Sequence, residues 1–418
     1  MKHALILAPL ALALIAAAPP KSPEAVADAA LRAAPVFDGH NDVPEQLRER
    51  RRDMLEGFDF RDTRNTGDAA KGLPPMMTDI TRMRAGKVGA QFWSVYVSAN
   101  LPEPQAVQAT LEQIDVTRRL IAQYPADLQL CTDSKCVEAS GKAGRIASLI
   151  GMEGGHSIGG SLAVLRQMHS LGARYMTLTH FKNTAWADSA TDAPAHDGLT
   201  PFGEQVVREM QRLGMLVDLA HVSEATMRDA LALKGPPPIV SHSNARAINH
   251  HSRNVSDETL KAIGAAGGIV MVNFYPPYVV EAARQWSAAR DAQAAQAKAL
   301  NRGDPAAEAA DLAAWDKANP MPRGTVGDVA DHIQHIAKLI GADHVGLGGD
   351  LDGVETTVAG LEDVSTYPAL FTELARRGWS QADLEKLASR NMLRVMKAAE
   401  AYAAAHRADP ALENPTTF

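Results

Sequence analysis

The chain has 418 residues, 46% of them hydrophobic and 22% charged, with a formal net charge of −7. That is the composition of a globular protein with room for one large domain or two ordinary ones. The mildly acidic balance, with no basic stripe, argues against nucleic acid as a partner.

In the opening stretch, MKHALILAPLALALIAAAPP, a basic start (Lys2, His3) leads into an apolar run from Ala4 to Ala18 that ends in small residues. The layout is that of a secretory signal, and the run is short for a membrane span. Residues 1–18 are therefore expected to be a signal peptide, with Ala17 and Ala27 both offering cleavage points. An exported protein, periplasmic or secreted, is expected. No cysteine follows the run and the last residues, ADPALENPTTF, are not apolar, so no lipid anchor is expected.

From residue 35 onward, short apolar runs alternate with longer stretches of helical period. The expected strands are 35–42, 88–97, 145–154, 173–180, 214–221, 237–243, 267–274 and 344–350. Continuous apolar strands separated by helices imply a parallel sheet covered on both faces. Eight such units imply an α/β fold of the (β/α)8 TIM-barrel type, a single domain over 35–405. The runner-up, an open doubly wound sheet, would more naturally carry a Gly-rich phosphate loop, and none is present. Two stretches depart from the alternation: a charged connection over 45–85, and an Ala-rich segment over 280–325 expected to be a helical insertion on the barrel. Cys131 and Cys136 stand close together in LCTDSKCV and are either a small disulfide loop or two free thiols.

The chemistry falls at the ends of the strands. His40 and Asp42 end the first, Glu153 the third, His180 the fourth, His221 the fifth, His242 the sixth and Asp350 the eighth. In a barrel these ends converge on one mouth, where catalytic groups belong. His40 and Asp42, two apart on a strand, face the same way with about 6.6 Å between their Cα atoms. Each residue taken alone is better explained as hydrogen-bonded structure; together on one rim they read as a site. His40, Asp42, Glu153, His221 and His242 exceed the three protein ligands of a single catalytic zinc. They suit two ions sharing a carboxylate, with Glu153 as the bridge and a hydroxide between the metals. Mixed nitrogen and oxygen donors favour zinc, with manganese or cobalt as substitutes. His332 and His335 are expected on a helix surface, His250 and His251 in a loop, and His156 beside the ligand set rather than in it.

These residues lie in longer motifs. DGHNDVP, VGAQFWSVYV, ASLIGMEGGHSI, RYMTLTHFKNTAWAD, LVDLAHVS, SHSNA and GLGGDLDGV, with YPADLQL, RNVSDE, MVNFY and GLEDVS, resemble the renal, or membrane, dipeptidase family from about residue 35 to 400. The resemblance implies a two-zinc barrel that cleaves the one peptide bond of a dipeptide, L,L and possibly L,D, and a homodimer. It gives His40 and Asp42 to one zinc, His221 and His242 to the other and Glu153 to both. It places His180 at the substrate's scissile group, Arg253 at its carboxylate and Asp350 in the acid–base role. The long 280–325 insertion, the missing membrane anchor and the cysteine pattern depart from mammalian members. Two other readings stay open: a metal-dependent hydrolase of lactams or N-acyl amino acids, since function sits in the loops of this fold, and an exported peptide-binding protein without turnover.

Overall fold

The computed structural model describes residues 21–414; the expected signal peptide lies outside them. Among the described residues nine strands occur: β1 (Val36–Asn41), β2 (Val88–Tyr96), β3 (Leu128–Leu130), β4 (Ile146–Glu153), β5 (Ala173–Thr177), β6 (Leu216–Asp218), β7 (Ile239–Val240), β8 (Ile269–Val272) and β9 (Val345–Leu347). They run in the order β2-β1-β9-β8-β7-β6-β5-β4-β3, and pairing of β2 with β4 closes eight of them into a parallel barrel ringed by helices. This is the (β/α)8 architecture expected from the alternation. The ninth strand, β3, was not anticipated. It pairs with Ile146–Ser148 at the start of β4, below the point where β5 joins at Ile150.

Strand periodicity sorts the side chains into two layers. Phe37, Phe92, Leu149, Tyr175, Leu216, Ile239, Ile269 and Met271 form the inner cluster. Within it Phe37 stacks on Phe92 at 5.6 Å and Phe92 meets Tyr175 at 4.8 Å between ring centroids. Each such burial stabilises the fold by roughly 1.5–3 kcal/mol. Met392, Val395 and Met396 of the helix Asn391–Ala405 join this cluster and stopper the N-terminal end of the barrel. Val36, Val95, Ile150, Met176, Val217, Val240 and Val270 point the other way, into the layer shared with the surrounding helices.

Period two carries the inner series onward to the C-terminal ends. Ala147, Leu149 and Gly151 lead to Glu153, Leu216 leads to Asp218, and Ile269 and Met271 lead to Asn273. The barrel interior thus changes from apolar to polar as it approaches the mouth.

β7 starts later than the expected 237–243, at Ile239, because Pro237 and Pro238 cannot donate to a ladder. The 280–325 segment is a helical excursion, as expected, built of Glu281–Leu300 and Pro305–Ala318. Trp286 meets Trp315 at 5.7 Å, Arg290 pairs with Asp316 at 2.8 Å, and the second helix has no buried residue. Cys131 and Cys136 are joined as a disulfide, which decides between the two readings of that pair. Among the described residues no helix is long and apolar enough to cross a membrane.

Candidate active site

Each strand-end residue singled out above reaches the mouth, and all are buried, from His40 at 0% exposed to Asp350 at 8%. Glu153 is the hub. Its Oε2 lies 3.4 Å from His40 Nε2, and its Oε1 lies 3.0 Å from His221 Nε2, 3.4 Å from His242 Nε2 and 3.5 Å from His180 Nε2. His40 Nε2 is also 3.3 Å from Asp42 Oδ2 and 3.9 Å from Asp350 Oδ1.

Backbone strain helps to aim two of these side chains. His221 and Asp350 sit in the left-handed region, at φ 64° and 59°, a conformation that costs of order 1–3 kcal/mol and persists where the surroundings impose it. Gly353 is required opposite them, because a Cβ there would overlap the carboxylates of Asp42 and Asp350.

Hydrogen bonds from below hold the rest. The Tyr175 hydroxyl lies 2.9 Å from His40 Nδ1, and Gly151 makes the room for its ring. Ser241 Oγ lies 2.8 Å from His242 Nδ1 and donates to Asp218 Oδ2 at 2.6 Å. Thr177 donates to the same oxygen at 2.5 Å. With the Ser241 proton committed to Asp218, the serine accepts from His242 Nδ1–H, which leaves the Nε2 lone pair free to ligate. Ser94 donates to Glu153 at 3.1 Å, and Asn273 to Asp350 Oδ2 at 2.7 Å. His180 and His221 have no Nδ1 partner among the described residues.

Three triads have ligand atoms within 4.8 Å of one another: His40–Glu153–His242, Glu153–His180–His221 and His40–Asp42–Asp350. Glu153 belongs to the first two, the position of a bridging carboxylate. The site offers one imidazole beyond the assigned ligands, since His180 stands with Glu153 and His221. These donors fit divalent cations. Both Asp42 oxygens and His40 Nε2 are buried without a hydrogen-bond partner, a costly state unless an ion is shared between them. His221 Nε2 and His242 Nε2 are 2.9 Å apart, a convergence of lone pairs suited to a metal.

Burial and neighbouring charges set the protonation of these groups. Burial depresses His221 and His242 well below the usual imidazole value, reinforced at His221 by Arg253 and at His242 by His40, so both are held neutral. Burial would also depress His40, but Tyr175, Asp42 and Glu153 outweigh it and hold the ring well above the usual range. Burial pushes the Asp350 carboxyl up to about 7; His40 opposes the shift, and Asp42 and Glu153 add to it.

Arg253 lies across the cavity, 1% exposed. It donates to Ser243 Oγ at 3.1 Å and the His242 carbonyl at 3.4 Å, and its guanidinium sits 5.3 Å from the centre of the Tyr278 ring. It has no carboxylate partner among the described residues. The cavity shared by Arg253 and the cluster holds about 270 Å³, small beside the ~300–1,000 Å³ of pockets for drug-sized ligands. Tyr96, Phe181, Tyr275, Tyr278, Glu45 and Glu355 also line it. Glu45, which the sequence reading did not single out, has its carboxyl pushed up to about 9 by burial and by repulsion from Asp42, Glu153, Glu49 and Asp350.

The other histidines lie elsewhere. His156 Nε2 bonds the Val97 carbonyl at 2.9 Å, and His335 pairs with Asp257 at 2.7 Å. His332 corrects an expectation: it is fully buried rather than on a helix surface. It accepts from Ala245 N at 3.1 Å and bonds the Val279 carbonyl at 2.9 Å, tying a loop and the short helix Pro276–Val279 to its own helix. His251 lies beneath Arg253, accepting its backbone N–H at 3.0 Å.

A closed parallel barrel with buried imidazoles and carboxylates gathered at its C-terminal mouth is the framework of a metal-dependent hydrolase. Residues 24–410 match the sequence model of the family described as membrane dipeptidase, peptidase family M19, and the chain belongs to that family of metallo-dipeptidases. Solved structures share its fold at low identity. The probable dipeptidase PvdM from Pseudomonas aeruginosa is 23% identical, with TM-score 0.77 over 91% of this chain and 99% of its own. A metallo peptidase from Rhodobacter sphaeroides, liganded with a phosphinate mimic of the dipeptide L-Ala-D-Ala, is 23% identical, with TM-score 0.70 over 88% and 99%. The dipeptidase AC, of the same M19 family, is 24% identical, with TM-score 0.69 over 88% and 98%.

Proposed function

We propose that the chain hydrolyses the peptide bond of dipeptides with two zinc ions held by His40, Asp42, Glu153, His221 and His242, Glu153 bridging them. The supporting observation is the pairing, in one small cavity, of this donor cluster with the buried, unpaired Arg253. Zinc bound there supplies Lewis-acid polarisation of a carbonyl and a water of lowered pKa.

The chain's own groups do the rest. Arg253 grips the substrate's terminal carboxylate with a two-pronged contact and so fixes how far the scissile bond lies from the chain end. That restriction, with the cavity's small volume, selects dipeptides over longer peptides. His180 donates to the scissile oxygen and stabilises the charge that develops on it. Asp350, poised near neutrality and anchored through Oδ2 by Asn273, takes a proton from the attacking water and passes it to the leaving amine. The Rhodobacter sphaeroides relative's L-Ala-D-Ala mimic supports acceptance of a D-residue at the C-terminal position. Export to the periplasm or medium is proposed from the apolar N-terminal run and from the disulfide, a bond that persists in oxidising compartments.

The test is hydrolysis of a panel of L,L and L,D dipeptides before and after chelation, then with zinc restored. Cleavage that vanishes with chelator and returns with zinc is expected. A zinc-replete protein inactive on every dipeptide would sink the reading.

A further inference from the structure

Glu45 sits at the third position of the helix Val43–Arg51, whose N-cap is Asp42. A glutamate there ordinarily reaches back to the N-cap backbone N–H. Here that N–H is already given to the Leu351 carbonyl at 3.0 Å. The Glu45 side chain lines the cavity instead, half-buried. It makes no hydrogen bond or ion pair among the described residues, and the groups that act on it are carboxylates. The other carboxylate of the wall outside the metal-competent set, Glu355, is exposed and occupied by Tyr275.

The cavity therefore has two ends of opposite charge. Arg253 marks the end for the substrate's C-terminal carboxylate. Asp42, Glu153 and Asp350 surround the position of the scissile bond, where the dipeptide's own ammonium group, only two bonds from the scissile carbonyl carbon, must also lie. Glu45 stands one helical turn beyond Asp42 and further out, with Glu49 another turn on and exposed. Tyr96, whose ring lies 4.3 Å from that of His180, offers an apolar face along the way for the methylenes of a long residue.

We propose that Glu45 selects dipeptides whose N-terminal residue carries a cationic side chain, lysine or arginine. The proposal rests on the dipeptidase reading and extends it to a substrate class. The carboxylates around Glu45 favour its protonated form, and a cation brought beside it favours the ionised one; the resulting salt link is worth about a tenfold preference over a neutral side chain of equal length.

The experiment compares kcat/KM for Lys-Ala and norleucyl-Ala, in the zinc-loaded wild type and in Glu45→Gln and Glu45→Lys. Calorimetric binding of the phosphinate analogues of both substrates accompanies it. The wild type is expected to favour the lysyl substrate about tenfold, Glu45→Gln to bring the ratio near one, and Glu45→Lys to invert it. A ratio that survives Glu45→Gln overturns the proposal. So does an equal loss on both substrates, which would place the carboxylate at the ammonium group or in folding. If the wild type cleaves no dipeptide, the dipeptidase reading fails by itself. The lysyl-over-norleucyl binding ratio and its dependence on Glu45 then still decide this proposal.

Discussion

Replacing Asp218 with asparagine is expected to loosen the metal site without touching a ligand. Asp218 accepts two backbone N–H groups on Oδ1, from Ala220 at 3.1 Å and Ser241 at 2.9 Å. Its Oδ2 accepts the hydroxyls of Ser241 and Thr177, at 2.6 and 2.5 Å. An asparagine keeps its carbonyl towards the two N–H groups, which cannot reverse, and turns its amide N–H towards the hydroxyls, which can. Ser241 then accepts from the amide and gives its proton to His242 Nδ1. His242 is driven into the tautomer with hydrogen on Nε2, the atom required for the metal. Losing such an outer partner costs about 10–100-fold in metal affinity, or ~1.4–2.7 kcal/mol. Competition with a chromophoric chelator measures zinc affinity directly, independently of turnover, and circular dichroism checks the fold. Ser241→Ala, which leaves Asp218 intact, is expected to weaken zinc through the same histidine by a smaller factor. A folded Asp218→Asn protein that binds zinc as tightly as wild type would refute the tautomer argument.

Two further outcomes follow from the opposite wall and from the proton carrier. Arg253→Lys loses the planar fork and the Tyr278 stack, so KM is expected to rise roughly tenfold or more with kcat little changed; an unaltered KM would remove Arg253 from substrate binding. In the metal-free protein the raised Asp350 carboxyl, about 7 against an ordinary 3.8, keeps a proton that the unfolded chain has lost. Its contribution therefore favours folding less as pH rises from about 4 to about 7 and is flat above. Asp350→Asn, which resembles the protonated acid, should gain Tm over wild type across that window. A Tm difference that does not vary with pH would contradict this. With zinc bound, the same variant is expected to keep its metal and lose kcat.

The barrel was legible because its signal is periodic: eight apolar runs at helix-separated spacing leave few architectures, and closure through β2 and β4 is one of them. The convergence of His40, Asp42, Glu153, His180, His221, His242 and Asp350 was legible for the same reason, since parallel strands bring their C-terminal ends together whatever lies between. What escaped notice lacks such a signature. β3 is three residues long and partly exposed, too short to show a period. His332 shares a helix with the half-exposed His335 three residues on, and only the packing of a loop and a short helix over one of them makes it interior. Asp218 and Asn273 lie on the inner parity of β6 and β8, so counting by twos from Leu216 and Met271 would have pointed to both. Glu45 reads as an ordinary helix-start glutamate until the Leu351 carbonyl is seen to take the N–H it would have capped.

Gly151 lies in the barrel interior, yet its smallness serves the mouth, by giving Tyr175 the space to stand under His40. For protein engineering this inverts a common rule. A buried glycine in a strand is an obvious target for thermostabilising substitution, because alanine lowers the conformational freedom of the unfolded chain. At this position the added methyl would tilt the phenol away from the imidazole, so the barrel could be repacked around Gly151 but not at it.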